Sequence, residues 1–163
     1  MYFKNRKLKL TTALLFFSLF LTPKAFAGGI EIEEAIAFAG FIQDLVGTSS
    51  LSSGAICASG NDEVSKLISR EKGFVNLDDN PSKFTSCKAI YIATSKQKGF
   101  AADILKFSKG KILTIAIFDG FTEAGGMVQV QMGRRNFELT LNPKAMKDSG
   151  VRLSALAMSL VIN

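Results

Sequence analysis

KILTIAIF, residues 111–118, has almost no polar side to show. A strand that is apolar on both faces belongs in the middle of a sheet covered by helices, so this stretch alone points to an α/β fold. KAIYIATS, 88–95, reads as a strand just before it. Between the two, QKGFAADILKFSKG at 97–110 places Phe100, Ile104 and Phe107 on one helical side. Strand, helix of about ten residues, strand is the βαβ unit of a mostly parallel sheet. AICAS (55–59) and DEVSKLISREK (62–72) repeat the pattern, with a further short strand at Phe74–Leu77. IEIEEAIAFAGFIQDLV, 30–46, reads as a helix ahead of them, its apolar positions Ile32, Ala35, Ile36, Ala39, Ile42 and Val46 falling at three- and four-residue spacing.

The pattern changes after Gly125-Gly126. MVQVQM (127–132) and NFELTLN (136–142) alternate strictly, and GRR joins them at hairpin length. This predicts an antiparallel edge hairpin with Gln129, Gln131, Glu138 and Thr140 facing out. Asn142 suits an N-cap, Pro143 the first position of a helix ending at Gly150, and Ser154 a cap for the apolar ALAMSLVI. The expected fold is a three-layer α/β/α sandwich, mostly parallel, with a C-terminal antiparallel edge hairpin. Gly125 and Gly126 are read first as a turn out of the buried strand where a side chain would clash. The functional reading is a bare backbone against which a partner packs.

The first 27 residues read as a leader. A basic start, a short apolar run at 13–21 and Ala-Phe-Ala ending at Ala27 have the layout of a cleaved secretory signal peptide. That leaves one domain, 28–163. Five of the 20 Lys and Arg residues and none of the 14 Asp and Glu residues fall within 1–27, so the net charge of +6 drops to +1 for the rest. Nucleic-acid binding therefore loses its basic footprint. An exported chain with two cysteines, Cys57 and Cys87, is expected to pair them in an oxidising compartment. Closing a loop of that length stabilises by about 3–4 kcal/mol in the chain-entropy treatment.

Catalytic chemistry finds little material. The chain has no His, which removes the usual base near neutral pH and most zinc and triad arrangements. A pair of oxidised cysteines leaves no thiolate nucleophile. Asp78-Asp79 beside Asn80-Pro81 reads as a solvated turn, and Glu31, Glu33 and Glu34 as favourable charges at a helix start. Arg134-Arg135 sit at the hairpin tip. CASGNDEV, strand then glycine then helix start, stands where α/β folds bind anions, but it lacks a phosphate-loop pattern and opens with Asp62 and Glu63. No cofactor or metal site is expected.

The second half, ILTIAIFDGFTEAGGMVQV followed by LTLNPKAMKDSGVRLSALAMSLV, resembles the YfiR family of small periplasmic regulators, which includes HmsC. The matching positions are Leu113, Thr114, Phe121, Gly125, Gly126, Met127, Asn142, Gly150, Ser154 and Leu156, with Cys57 before Gly60 and Cys87 before AIYIA. The chain departs from the family where LVGTSSL replaces a Trp-Pro and Ser154-Ala155 a serine pair. The resemblance implies an exported, non-catalytic α/β/α domain that represses an inner-membrane diguanylate cyclase through its periplasmic domain. Less repressor then means more cyclic-di-GMP and more biofilm matrix. It also implies redox sensitivity through the cysteines, and related domains form homodimers.

Two functional readings follow. An interaction protein needs an exposed apolar surface, for which Phe118, Phe121 and Met127 are the candidates. A small-ligand module needs a pocket at the carboxyl ends of the parallel strands, near Ser59, Asn61, Thr94 and Asp119.

Overall fold

A computed structural model describes residues 32–51, 53–133 and 136–159. The leader reading and Arg134-Arg135 lie outside the described residues. Six strands form one sheet in the order β2-β1-β3-β4-β5-β6: β1 Ala55–Ser59, β2 Phe74–Asn76, β3 Cys87–Ile92, β4 Leu113–Ala116, β5 Val128–Met132 and β6 Phe137–Leu141. Neighbours from β2 to β5 are parallel, and β5 and β6 are antiparallel from Val128↔Leu141 to Met132↔Phe137. All four residues of β4 are buried, which is why this strand takes the centre. The expected α/β class, mostly parallel with an antiparallel edge, is the one observed.

Two apolar layers cover the sheet. On one face, α1 (Ile32–Gly47) and α2 (Glu63–Ile68) press Phe38, Ile42, Val64 and Ile68 against Ala58, Tyr91 and Ile115. Phe38 meets Tyr91 edge-on at 5.5 Å, and Phe41 stacks on Phe137 at 4.6 Å. On the other face, α3 (Phe100–Lys109) sets Phe100, Ile104 and Phe107 against Ile90, Ile92 and Ala116. A 3-10 turn at Pro81–Ser86 adds Phe84, whose ring lies 5.3 Å from that of Phe107. Cys57 and Cys87 form a disulfide on this same face, with Cα atoms 5.8 Å apart, and it ties β1 to β3.

The C-terminal helices follow the cap chemistry of their sequence. Asn142 accepts from the Ala145 N–H at 2.9 Å ahead of Pro143, and α4 (Pro143–Ser149) stops at Gly150 with φ +73°. Ser154 accepts from the Ala157 N–H at 3.1 Å to open α5 (Ala155–Met158). Two expectations are corrected. The 62–72 helix is shorter, Glu63–Ile68, because the chain must reverse at Gly73 (φ +97°) to lay β2 beside β1. Gln129 does not face solvent: it is buried beneath the segment that links β4 to β5.

Candidate functional site

Residues 117–127 carry the chain from β4 to its parallel neighbour β5 without a helix. Three successive turn bonds coil this crossover: Ala124 N–H to Gly120 O, Gly125 N–H to Thr122 O, and Gly126 N–H to Phe121 O. Gly125 needs its freedom for a φ of +105°. Gly126 needs it for space, because a Cβ there would overlap the Phe121 ring. Side chains from β4, from β5 and from the N-cap of α4 then pair three more of its backbone groups. Thr114 Oγ1 accepts the Met127 N–H at 3.0 Å, and Gln129 Oε1 accepts the Phe121 N–H at 3.2 Å. Asn142 Nδ2 donates to Thr122 O at 2.8 Å while its own N–H donates to Met127 O at 2.9 Å. Buried backbone groups must be paired, and these polar residues do that work inside an apolar layer.

Phe118, Phe121 and Met127 are all buried here, the last two at 0% and 1% exposure. Phe118 and Phe121 join Phe100 in a three-ring cluster with centroids 5.2 to 5.3 Å apart. Met127 turns to the opposite layer, where Ser149 Oγ lies 3.7 Å from its sulfur. These side chains hold the crossover from within, so any partner surface built on this loop uses other atoms. A sequence cannot tell such a loop from an exposed one, because the apolar residues that would mark an interface are also those that bury a coil.

The strand order reverses between β1 and β3, which is where sheets of order 2-1-3-4-5 open a ligand crevice. Here the crevice is filled by the chain itself. One oxygen of Asp62 accepts the Ser65 N–H at 2.8 Å as the N-cap of α2, and the other accepts the Thr94 N–H at 2.7 Å. Ser65 Oγ donates to Gly60 O at 2.9 Å, and the Ala93 N–H bonds Ser59 O at 2.8 Å. Asp78 accepts from the Gly60 N–H at 3.3 Å and pairs with Lys96 at 3.6 Å. Ser59, Asn61 and Thr94 do lie at this end of the sheet, and the Thr94 N–H is held by the Asp62 carboxylate. Asp119 contributes its backbone oxygen, which Gln97 Nε2 approaches at 3.5 Å. The Asp62 contact to Thr94, just after β3, spans 32 residues and has no local sequence signal. Beneath it Tyr91 is fully buried, and burial, with a smaller effect from Asp62, raises its phenol well above its ordinary value.

Two openings lie elsewhere. A cleft of about 510 Å³ beside α2 and β2 is lined by Lys66, Ser69, Arg70, Asp79 and Lys83 among others. A second, of about 480 Å³ and mostly apolar, lies beside the end of β6, between Leu141, Pro143, Met146, Val151, Leu153 and Met158. Among the described residues no cluster of three or more His, Cys, Asp or Glu could hold a metal ion. No described helix is long and apolar enough to cross a membrane.

The family profile described as YfiR/HmsC-like matches residues 36–160, which takes in all six strands, the disulfide and the crossover. The chain belongs to the YfiR/HmsC-like family. No curated protein matches it. In this YfiR/HmsC-like chain, the positions that carried the resemblance have visible structural roles. Leu113 is buried in β4, Thr114, Phe121, Gly125, Gly126, Met127 and Asn142 build the crossover, Gly150 ends α4 and Ser154 starts α5. Leu156 is the exception: it is 72% exposed.

Proposed function

We propose that this YfiR/HmsC-like chain is an exported regulator that represses a membrane-bound diguanylate cyclase by binding the cyclase's periplasmic domain. The match of the family profile to residues 36–160 carries this reading. A disulfide across the central strands fits an oxidising compartment, and the leader-like residues 1–27 fit export. The sequence has no His to serve as a base near neutral pH, and its most concentrated polar network, around Asp62, is spent on backbone N–H groups. Regulation by contact asks for a rigid domain with an exposed surface, not for a catalytic centre.

The alternative reading, a ligand module with its pocket at the carboxyl ends of the strands, has less support, because Asp62 occupies that place. The test is direct binding. The disulfide-bonded chain is mixed with purified periplasmic domains of the membrane diguanylate cyclases from the same genome. Saturable binding to one of them is expected; binding to none would remove the repressor reading.

A further inference from the structure

We propose that the cleft beside α2 and β2 binds a small phosphate monoester as its dianion. This goes beyond the regulatory reading and stands or falls without it. At about 510 Å³ the cleft has the size of a small-molecule site. Its lining carries three bases, Lys66, Arg70 and Lys83, against one acid, Asp79, so three positive charges less one negative leave +2. A phosphate monoester carries close to two negative charges at neutral pH and matches that balance, where a single carboxylate does not. Lys66 lies on α2, and Arg70 in the turn that continues it, its N–H bonded to Leu67 O at 3.1 Å. Lys83 comes from a separate element, the 3-10 turn Pro81–Ser86. Among the described residues none of the three makes an ion pair. Cations gathered in one cleft repel one another, and a bound anion removes that cost.

Two polar side chains point to the same ligand. Ser65 gives its hydroxyl to Gly60 O and Asp62 O, each at 2.9 Å. Ser69, one turn later, lines the cleft, yet its hydroxyl is buried with no partner among the described residues. A buried hydroxyl left unmet costs free energy, and a phosphate oxygen would accept from it. Asn76 also lines the cleft, and because its Oδ1 accepts the Asp78 N–H at 2.9 Å, its Nδ2 is left to donate. Phe74 and Val75 supply an apolar wall for the organic part of the ester. Every lining residue falls between Cys57 and Cys87, so the disulfide holds both ends of the segment that builds the cleft. A site held in this way loses less freedom on binding.

The test titrates the disulfide-bonded mature chain, at neutral pH and low salt, with phenyl phosphate and with phenyl sulfate, a probe of similar shape that carries one charge. Amide shifts and calorimetry read the binding. Expected are saturable shifts at Ser69, Arg70, Asn76 and Lys83 with phenyl phosphate, and an affinity for phenyl sulfate lower by about tenfold or more. The Arg70→Gln, Lys83→Gln variant should lose phenyl phosphate affinity to a similar extent at unchanged melting temperature. Ser69→Ala should weaken binding by about tenfold with no loss of thermal stability, which a purely structural hydroxyl would not do. Absence of saturable shifts at the cleft with phenyl phosphate and with inorganic phosphate would overturn the site. Full-strength binding by the double variant would overturn it too, and equal binding of phenyl sulfate would overturn the dianion assignment. Sedimentation with phosphatidylglycerol vesicles separates a soluble ester from a lipid headgroup: vesicle binding that phenyl phosphate does not displace would overturn the proposal in favour of a membrane surface.

Discussion

Gly126 lies so close to Phe121 that a Cβ on the glycine would overlap the phenylalanine ring. The ring cannot give way, because Phe100 and Phe118 hold it at centroid distances of 5.3 Å and the Gly126 N–H is bonded to Phe121 O. Gly126→Ala is therefore expected to destabilise by about 1–3 kcal/mol, as overpacking does. Urea unfolding measures this. A change below about 0.5 kcal/mol would show that the crossover is looser than the packing of its three rings implies.

Asp62 joins α2 to the turn that follows β3 through its two oxygens. Asp62→Ala removes a helix cap and leaves the Thr94 N–H without its carboxylate, with an expected loss of about 1–3 kcal/mol. Exchange of the Ser65 and Thr94 amides should quicken together. Quickening at Ser65 alone would mean that the tie to β3 contributes nothing.

The Cys57–Cys87 bond spans 30 residues and lies within the α3-side core. Replacing both cysteines by Ala is expected to lower stability by about 3–4 kcal/mol from the unfolded-chain entropy, with a smaller packing loss added. Reductant should lower the melting temperature of the native chain and leave that of the double variant unchanged. Equal sensitivity of the two proteins would contradict a stabilising role for the bond.

Tyr91 gives stability a pH dependence. Its folded value is raised by burial first and by Asp62 second, above an ordinary value of 10.0. The stability tied to its neutral form is complete below about pH 10 and is lost as pH rises from there toward the folded value. Tyr91→Phe should flatten this alkaline decline. It should not destabilise at pH 7, because the buried hydroxyl has no hydrogen-bond partner among the described residues. An unchanged alkaline limb in the variant would assign the decline to other groups.

Hydrophobic patterning made the sheet legible. KILTIAIF became the all-buried central strand, and MVQVQM with NFELTLN became the antiparallel edge. Cap residues were equally plain, since Asn142-Pro143 and Gly150 act within one turn of themselves. The inward turn of Gln129 was not legible, because alternation separates two faces without saying what covers each. The bridge from Asp62 to Thr94 was hidden for a related reason: only the fold brings those residues together. The cleft beside β6 draws on residues scattered from Leu141 to Met158, and an exposed Leu156 looks in sequence like any other apolar position of a helix.

The regulatory role is tested most directly by intracellular cyclic-di-GMP in a strain lacking this gene, beside the same strain carrying the intact gene. Repression of a cyclase predicts a clear rise in the deletion strain that the intact gene reverses. An unchanged level, under conditions where the protein is abundant, would contradict repression and leave the family fold without the regulatory role proposed for it.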